Sequence, residues 1–144
     1  ALVTDIISDL QGEIRAKDAQ IVVHELPVIH GDRPLLRTLF LNLLSNAIKF
    51  HKPDTAPSIE ISDAANPADE LVQIDIRDNG IGIEQEHQKK IFSMFQRLHV
   101  AEDYPGTGLG LTMCRRVALD HGGHISVTSK PDSGSVFSAF LRRI

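Results

Sequence analysis

Leu71-Val72-Gln73-Ile74-Asp75-Ile76-Arg77-Asp78-Asn79-Gly80-Ile81-Gly82-Ile83 is the stretch on which the fold turns. Val72, Ile74 and Ile76 alternate with Gln73, Asp75 and Arg77, the period of a strand with one face in a core and the other in water. Continuing that pleat puts Asp78 on the side of the isoleucines. A carboxylate aimed into an apolar layer is costly unless something donates to it. The glycines that follow let the backbone turn and come close to a ligand. An extended segment is predicted over Gln20 to Ile29, interrupted by Pro27, and further strands at Ser58–Ser62, Ile125–Ser129 and Val136–Leu141, the last two joined at Pro131-Asp132-Ser133-Gly134. Helices fall among these strands in mixed order. With strands that look antiparallel, they predict a two-layer α+β sandwich.

Working upstream, Asp32 reads as the N-cap and Pro34 as a first-turn residue of a helix that runs to about Phe50 and stops before Pro53. Leu36, Phe40, Leu43 and Ala47 form its apolar face, and Asn42, Asn46 and Lys49 share another. With Leu35 and Leu39 flanking them, the three polar side chains sit half-buried. Two amides and an ammonium in that position offer oxygens to a hard cation and positive charge to a phosphate. A solvated stripe of ordinary amides is the plainer reading of the same residues.

Working downstream, a short helix from Glu84 to Phe95 leads into a polar loop, Gln96 to Pro105, with Arg97 and His99, the composition of a mobile lid. Gly106-Thr107-Gly108-Leu109-Gly110-Leu111 then opens a helix, Gly108 to His121, that Gly122-Gly123 closes. Exposed N–H groups and the helix dipole make such an opening an anion site. It matches neither the Rossmann fingerprint nor the P-loop. For Asp78 the ligand that answers both the buried carboxylate and the close backbone is adenine, whose amine would donate while its ring packs on aliphatics. The alternative there is an Asp-Asn-Gly turn that caps the next helix.

The chain has 144 residues, room for one domain. Its 19 acids against 15 bases leave a net charge of −4, which argues against a nucleic-acid partner. One cysteine, Cys114, forbids an intramolecular disulfide; at its place in a helix it reads as a core residue. The sequence has no transmembrane run or signal peptide, so a cytoplasmic location without direct membrane contact is expected. Leu2, Ile6, Ile7, Leu10 and Ile14 form an apolar stripe on a helix from Ala1 to Lys17. Such a stripe waits for a partner, which sets residues 1–17 apart from 18–144. The seven histidines match no strong metal motif and are expected at the surface or at caps.

Four elements in this order and spacing resemble the sensor histidine kinases of two-component systems. Asn42-Leu43-Leu44-Ser45-Asn46-Ala47-Ile48-Lys49-Phe50 is similar to that family's asparagine box, and Asp78 to Ile83 to its first glycine box. Ile91-Phe92-Ser93-Met94-Phe95-Gln96-Arg97 resembles its phenylalanine box, and Gly106 to Leu111 its second glycine box. Phe95 to His99 followed by Tyr104 to Gly108 resembles phytochrome-like and PAS-linked members.

The resemblance implies a Bergerat-type ATP fold, a mixed, mostly antiparallel sheet covered by helices on one face with a mobile ATP lid, holding Mg²⁺-ATP. It also implies that residues 1–17 are the end of a helical linker from a missing dimerisation domain and 18–144 the histidine kinase catalytic ATP-binding domain. On that basis Asn46 coordinates Mg²⁺, Asn42 supports metal and phosphates, and Lys49 contacts phosphate. Asp78 binds adenine, with Gly80, Gly82 and Ile83 around it and Phe50 as the aromatic beside the base. Gly106, Thr107, Gly108, Leu109, Gly110 and Leu111 line the phosphates, and Arg97 is the lid cation near the γ-phosphate. The implied partners are a histidine-bearing dimerisation domain of the same kinase and a downstream response regulator. Gyrase-type, mismatch-repair and chaperone ATPases resemble this chain too, but carry an acid near the place of Asn42. An amide cannot take a proton from water, which favours phosphoryl transfer over hydrolysis. A nucleotide-binding regulatory module without kinase activity is the alternative. His24-Glu25-Leu26-Pro27 superficially resembles a phosphoacceptor motif, but it lies where the family has a sheet strand, so His24 is rejected as acceptor.

Overall fold

A computed structural model describes residues 2–26, 31–50, 52, 54–63, 71–82, 110–129 and 134–142, with the backbone alone at 110–112. In chain order these form α1 (Leu2–Asp9), α2 (Gln11–Lys17), β1 (Gln20–Val23), α3 (Arg33–Lys49), β2 (Ser58–Asp63), β3 (Leu71–Asp78), α4 (Gly110–Asp120), β4 (His124–Ser129) and β5 (Ser135–Arg142).

The strands make one sheet in the order β1-β2-β3-β5-β4. β1 runs parallel to β2, because α3 carries the chain back between them; all other pairs are antiparallel. Register places Ile76 opposite Ile61 on one side and Phe137 on the other, with Val72 opposite Leu141 and Ile74 opposite Ala139. All of these are buried on the face that the helices cover. From above, α3 contributes Leu36, Leu39, Phe40, Leu43, Leu44, Ala47 and Ile48, and α4 contributes Cys114, Val117 and Ala118. Truncating one of the large aliphatics to alanine typically costs about 2–5 kcal/mol, because the cavity relaxes only in part. The opposite face carries Glu60, Gln73, Asp75, Arg77, Ser126 and Thr128, as the alternation predicts.

Both predicted ends of α3 hold, as does the predicted close of α4; the predicted start of α4 at Gly108 lies outside the described residues. Asp32 accepts from the Leu35 N–H at 3.1 Å, Pro34 stands in the first turn, and the Phe50 N–H closes the helix on Asn46. At the end of α4, Gly122 takes φ 78° and the Gly123 N–H reaches back to Ala118, a glycine-terminated cap.

Three features differ from expectation. Of the extended segment predicted over Gln20 to Ile29, residues 27–29 lie outside the described residues, and the rest is a strand only to Val23, with one further ladder bond from the His24 N–H to Ile61. The helix predicted over residues 1–17 breaks at Leu10, whose N–H is shared between the Ile6 and Ile7 carbonyls. Its apolar stripe does not stand free: Ile6 and Leu10 are buried, with Leu2, Val3 and Ile14 packed against the same core. The stripe meets α3 of this chain. Arg33 and Arg37 of α3 pair with Asp5 and Asp9 of α1 along that contact. Both pairs are largely exposed, so they align the helices more than they stabilise them. The helix predicted at Glu84–Phe95 and the lid at Gln96–Pro105 lie outside the described residues. Among the described residues no helix is long and apolar enough to cross a membrane.

Candidate functional site

Asp78 ends β3 with its side chain on the helix-covered face, opposite Ile59 on β2 and Ser135 on β5. Among the described residues no charged partner compensates it. Its Oδ1 accepts from the Gly80 N–H at 2.9 Å and from the Ser135 N–H at 3.2 Å. Burial pushes its pKa above the ordinary carboxylate value, and these two backbone donors pull part of the way back. Its other oxygen, Oδ2, accepts nothing from the described residues. The bond from Gly80 is the local turn of the plainer reading. The bond from Ser135 is not local, and it fixes the carboxylate from across the sheet.

The backbone around Asp78 is packed too closely for side chains. A Cβ on Gly80 would lie 2.3 Å from the Phe50 carbonyl oxygen, and one on Gly134 would lie 2.1 Å from the Asp78 oxygen. Gly134 also takes φ 83°, and Gly82 φ 75°, values that favour glycine. The Ile81 N–H donates to the Phe50 oxygen at 3.0 Å, so the end of α3 is tied to the loop after β3. Asn79 anchors that loop from below: its Oδ1 accepts from the Ser58 N–H at 2.8 Å and its Nδ2 donates to the Ala56 oxygen.

Along α3, Asn42, Asn46 and Lys49 are all half-buried, as expected from the flanking leucines. Asn42 turns its Nδ2 back onto the Thr38 carbonyl at 2.8 Å, leaving its oxygen as the atom it can offer. These residues lead directly into Phe50, so the asparagine face and the Asp78 turn adjoin through bonded backbone. The second helix is aligned with the first. Cys114 on α4 donates to the Leu39 oxygen at 3.4 Å, and His121 accepts from the Asp32 N–H at 3.0 Å. The two helices therefore run antiparallel, and the Gly110 end of α4 lies toward the Asn42–Asn46 stretch of α3.

The structure thus brings together Asn42, Asn46, Lys49, Phe50, Asp78, Gly80, Gly82 and the first turn of α4, where Gly110 and Leu111 stand. Ile83, Arg97, Gly106, Thr107, Gly108 and Leu109 lie outside the described residues. Sequence reasoning missed Ser135 and Gly134. Pro131 to Gly134 reads as a hairpin turn, and only the register of β5 on β3 shows that its end abuts Asp78.

No group of three acidic, histidine or cysteine residues among the described ones could hold a metal ion. What the chain offers is the amide of Asn46 beside that of Asn42, a donor set that fits Mg²⁺ taking its other ligands from phosphate and water. His24 is exposed, with Nε2 3.4 Å from Glu60, and it continues the β1 ladder as the rejection of it as acceptor assumed. Cys114 is fully buried and its thiol is pushed up to about 12 by that burial, the state of a core residue.

A family model for histidine kinase-, DNA gyrase B- and HSP90-like ATPases matches residues 31–143. Over 136 residues the chain is 35% identical to the phytochrome-like protein Cph1 of Synechocystis sp., covering 94% of this chain and 18% of that protein. Among solved structures, the catalytic domain of the histidine kinase ThkA superposes with a TM-score of 0.81 at 26% identity, covering 99% of this chain and 90% of that one. Full-length ShkA in complex with AMPPNP gives a TM-score of 0.78 at 25% identity, over 98% of this chain and 30% of that one. The described residues form a mixed five-stranded sheet covered by helices, and the chain belongs to the histidine kinase-, DNA gyrase B- and HSP90-like ATPase family, as a histidine kinase catalytic domain of the Bergerat type.

Proposed function

We propose that this domain binds Mg²⁺-ATP and delivers the γ-phosphoryl group to a histidine on a dimerisation domain of the same kinase, from which it passes to an aspartate of a response regulator. The observation that carries the nucleotide reading is the state of Asp78. One carboxylate oxygen is saturated by two backbone N–H groups, the other accepts nothing from the described residues, and the whole lies at the mouth of an apolar layer. An exocyclic amine is the neutral donor that such an oxygen selects; guanine would bring a carbonyl to the same place and leave two acceptors facing each other.

In this reading Asp78 orients the base, with Gly80 and Gly82 keeping the backbone close and Phe50 beside the ring. Asn46 supplies an amide ligand to Mg²⁺, which neutralises phosphate charge when bound. Asn42 and Lys49 hold the phosphates against the first turn of α4, with Gly106 to Leu111 as their backbone cradle and Arg97 reaching the γ-phosphate from the lid. Ile83 completes the base pocket. Transfer forms a phosphorus–nitrogen bond to the acceptor imidazole as the bond from phosphorus to the β,γ-bridging oxygen breaks, and ADP leaves. The chain's own residues position the reactants and exclude water. Asn42 stands where a hydrolytic base would act and cannot accept a proton.

The test is transfer of label from γ-labelled ATP to a separately supplied dimerisation domain of the parent kinase. An acid-labile, base-stable adduct on that domain, with little phosphate released when the acceptor is omitted, is the expected result. Fast phosphate release without acceptor, or labelling of the domain itself at His24, would overturn the assignment.

A further inference from the structure

His121 closes α4 and touches the opening of α3. Its Nε2 accepts from the Asp32 N–H at 3.0 Å, and its Nδ1 lies 2.8 Å from the Val117 oxygen. An acceptor at Nε2 requires the proton to sit on Nδ1, and a proton on Nδ1 is what the Val117 carbonyl needs. The two bonds therefore select one tautomer of the neutral ring. The His121 carbonyl also accepts from the Arg142 N–H at the end of β5, at 3.1 Å. Gly31 lies flush on the ring: a Cβ there would be 2.6 Å from Cδ2 of His121. Asp32, which receives this contact, is in turn the N-cap of α3.

Between α3 and α4 the packing is apolar, with Cys114, Val117 and Ala118 on one side and leucines on the other. Such contacts are non-directional and do not by themselves fix how far one helix slides along its neighbour. Directional bonds do, and His121 and Cys114 are the two that cross between these helices among the described residues. Because the helices are antiparallel, pinning the His121 end sets where the Gly110 end stands. The adenine end is held by different atoms: Gly80, Ser135 and Phe50 position Asp78 and its loop.

We propose that His121 is a positioning residue for the phosphate side of the nucleotide site, setting the distance between the first turn of α4 and the amides of α3. This rests on the nucleotide reading above.

The experiment measures ATP and adenosine binding calorimetrically for the whole chain and for two isosteric variants. In His121→Gln the side-chain oxygen reaches the place of Nε2 and still accepts from Asp32. In His121→Asn the shorter amide reaches only the place of Nδ1. ATP affinity should fall about tenfold in His121→Asn with adenosine affinity unchanged within about twofold, and return to within about threefold of wild type in His121→Gln, the scale of one directional bond. Gly31→Ala displaces the ring from the other side and should reproduce the selective loss, which keeps the test decisive if His121→Asn does not fold. Parallel loss of ATP and adenosine, or wild-type ATP binding in both His121→Asn and Gly31→Ala, would overturn the role of His121. A wild-type chain that binds neither ligand would instead overturn the nucleotide reading, and the proposed role with it.

Discussion

β3 carries two aspartates on opposite faces of the sheet, and their surroundings differ in kind. Asp75 looks out from the open face, where Ser138 Oγ donates to it at 2.7 Å and Gln73 Nε2 at 3.0 Å. Asp78 looks in under the helices, where, among the described residues, only backbone N–H groups reach it. Side-chain donors can rotate away, so Asp75 belongs to a part-buried side-chain network that adjusts to loss of any member. Backbone donors are fixed by the turn at Gly80 and by the strand at Ser135, so Asp78 is aimed rather than merely accommodated. The difference teaches that a partly buried carboxylate is read best from what holds it. Rigid donors on one oxygen leave the other oriented, at a cost in desolvation that a structural role does not explain.

The strongest way to break this comparison is to disturb what aims Asp78 without touching it. Gly134→Ala introduces a Cβ 2.1 Å from the Asp78 carbonyl oxygen at a residue with φ 83°. We expect a loss of about 3 kcal/mol in chemical denaturation, the upper range for a non-glycine residue forced into this conformation, with ATP binding reduced in the folded fraction. Unchanged stability would mean that the hairpin end does not press on β3 as described.

Next in size is the paired substitution. Asp78→Asn should weaken ATP binding about tenfold to a hundredfold, since a buried acceptor for the adenine amine becomes an amide of mixed polarity. Asp75→Asn should leave ATP affinity unaltered within about twofold, because it lies on the far side of the sheet. Calorimetry on both variants checks this, and equal effects at the two positions would erase the distinction between the faces.

The smallest effect sharpens the same contrast through pH. Burial raises the pKa of Asp78 in the folded chain above its ordinary value of 3.8, so the folded state binds that proton more tightly than the unfolded one. Its favourable contribution is fully present below the ordinary value and is lost as pH rises through the folded value. In the ligand-free chain Asp78→Asn should therefore melt at or above the wild-type temperature at neutral pH. That gap should close as pH falls into the carboxylate range. A gap that widens on acidification would reverse the sign and contradict the buried carboxylate.

Much of this was legible in the chain. The alternation of Val72, Ile74 and Ile76 predicts which face Asp78 joins, and the Asp32 cap and the Gly122-Gly123 stop are local signals with local causes. The partners supplied from elsewhere were not legible. Periodicity reports that α1 has an apolar stripe but not that α3 covers it, because a stripe has the same appearance whatever it packs on. Ser135 offers a backbone N–H, which every residue except proline possesses, so nothing in its side chain marks it as the second donor to Asp78. His121 could be anticipated as a capping histidine, but the Asp32 N–H that it meets lies far back in the chain. Of the expected site, the asparagine face and the Asp78 turn could be compared with the structure, whereas Ile83, Arg97 and Gly106 to Leu109 lie outside the described residues.

The contact between Ser135 and Asp78 also has a consequence for the order in which the molecule is made. The two residues are 57 positions apart, and Ser135 opens the last of the described strands. During synthesis β2, β3 and α3 emerge long before β5 does, and until β5 inserts between β3 and β4 the carboxylate lacks its second donor. β4 likewise has no place in the sheet without β5. Long-range closures of this kind are late and slow steps. A nascent or truncated chain ending before Ser135 therefore holds an unfinished carboxylate and a sheet with β3 as an open edge. Such an edge exposes Val72, Ile74 and Ile76 to pairing with other chains. Completion of the site and protection from aggregation arrive together, with the same strand.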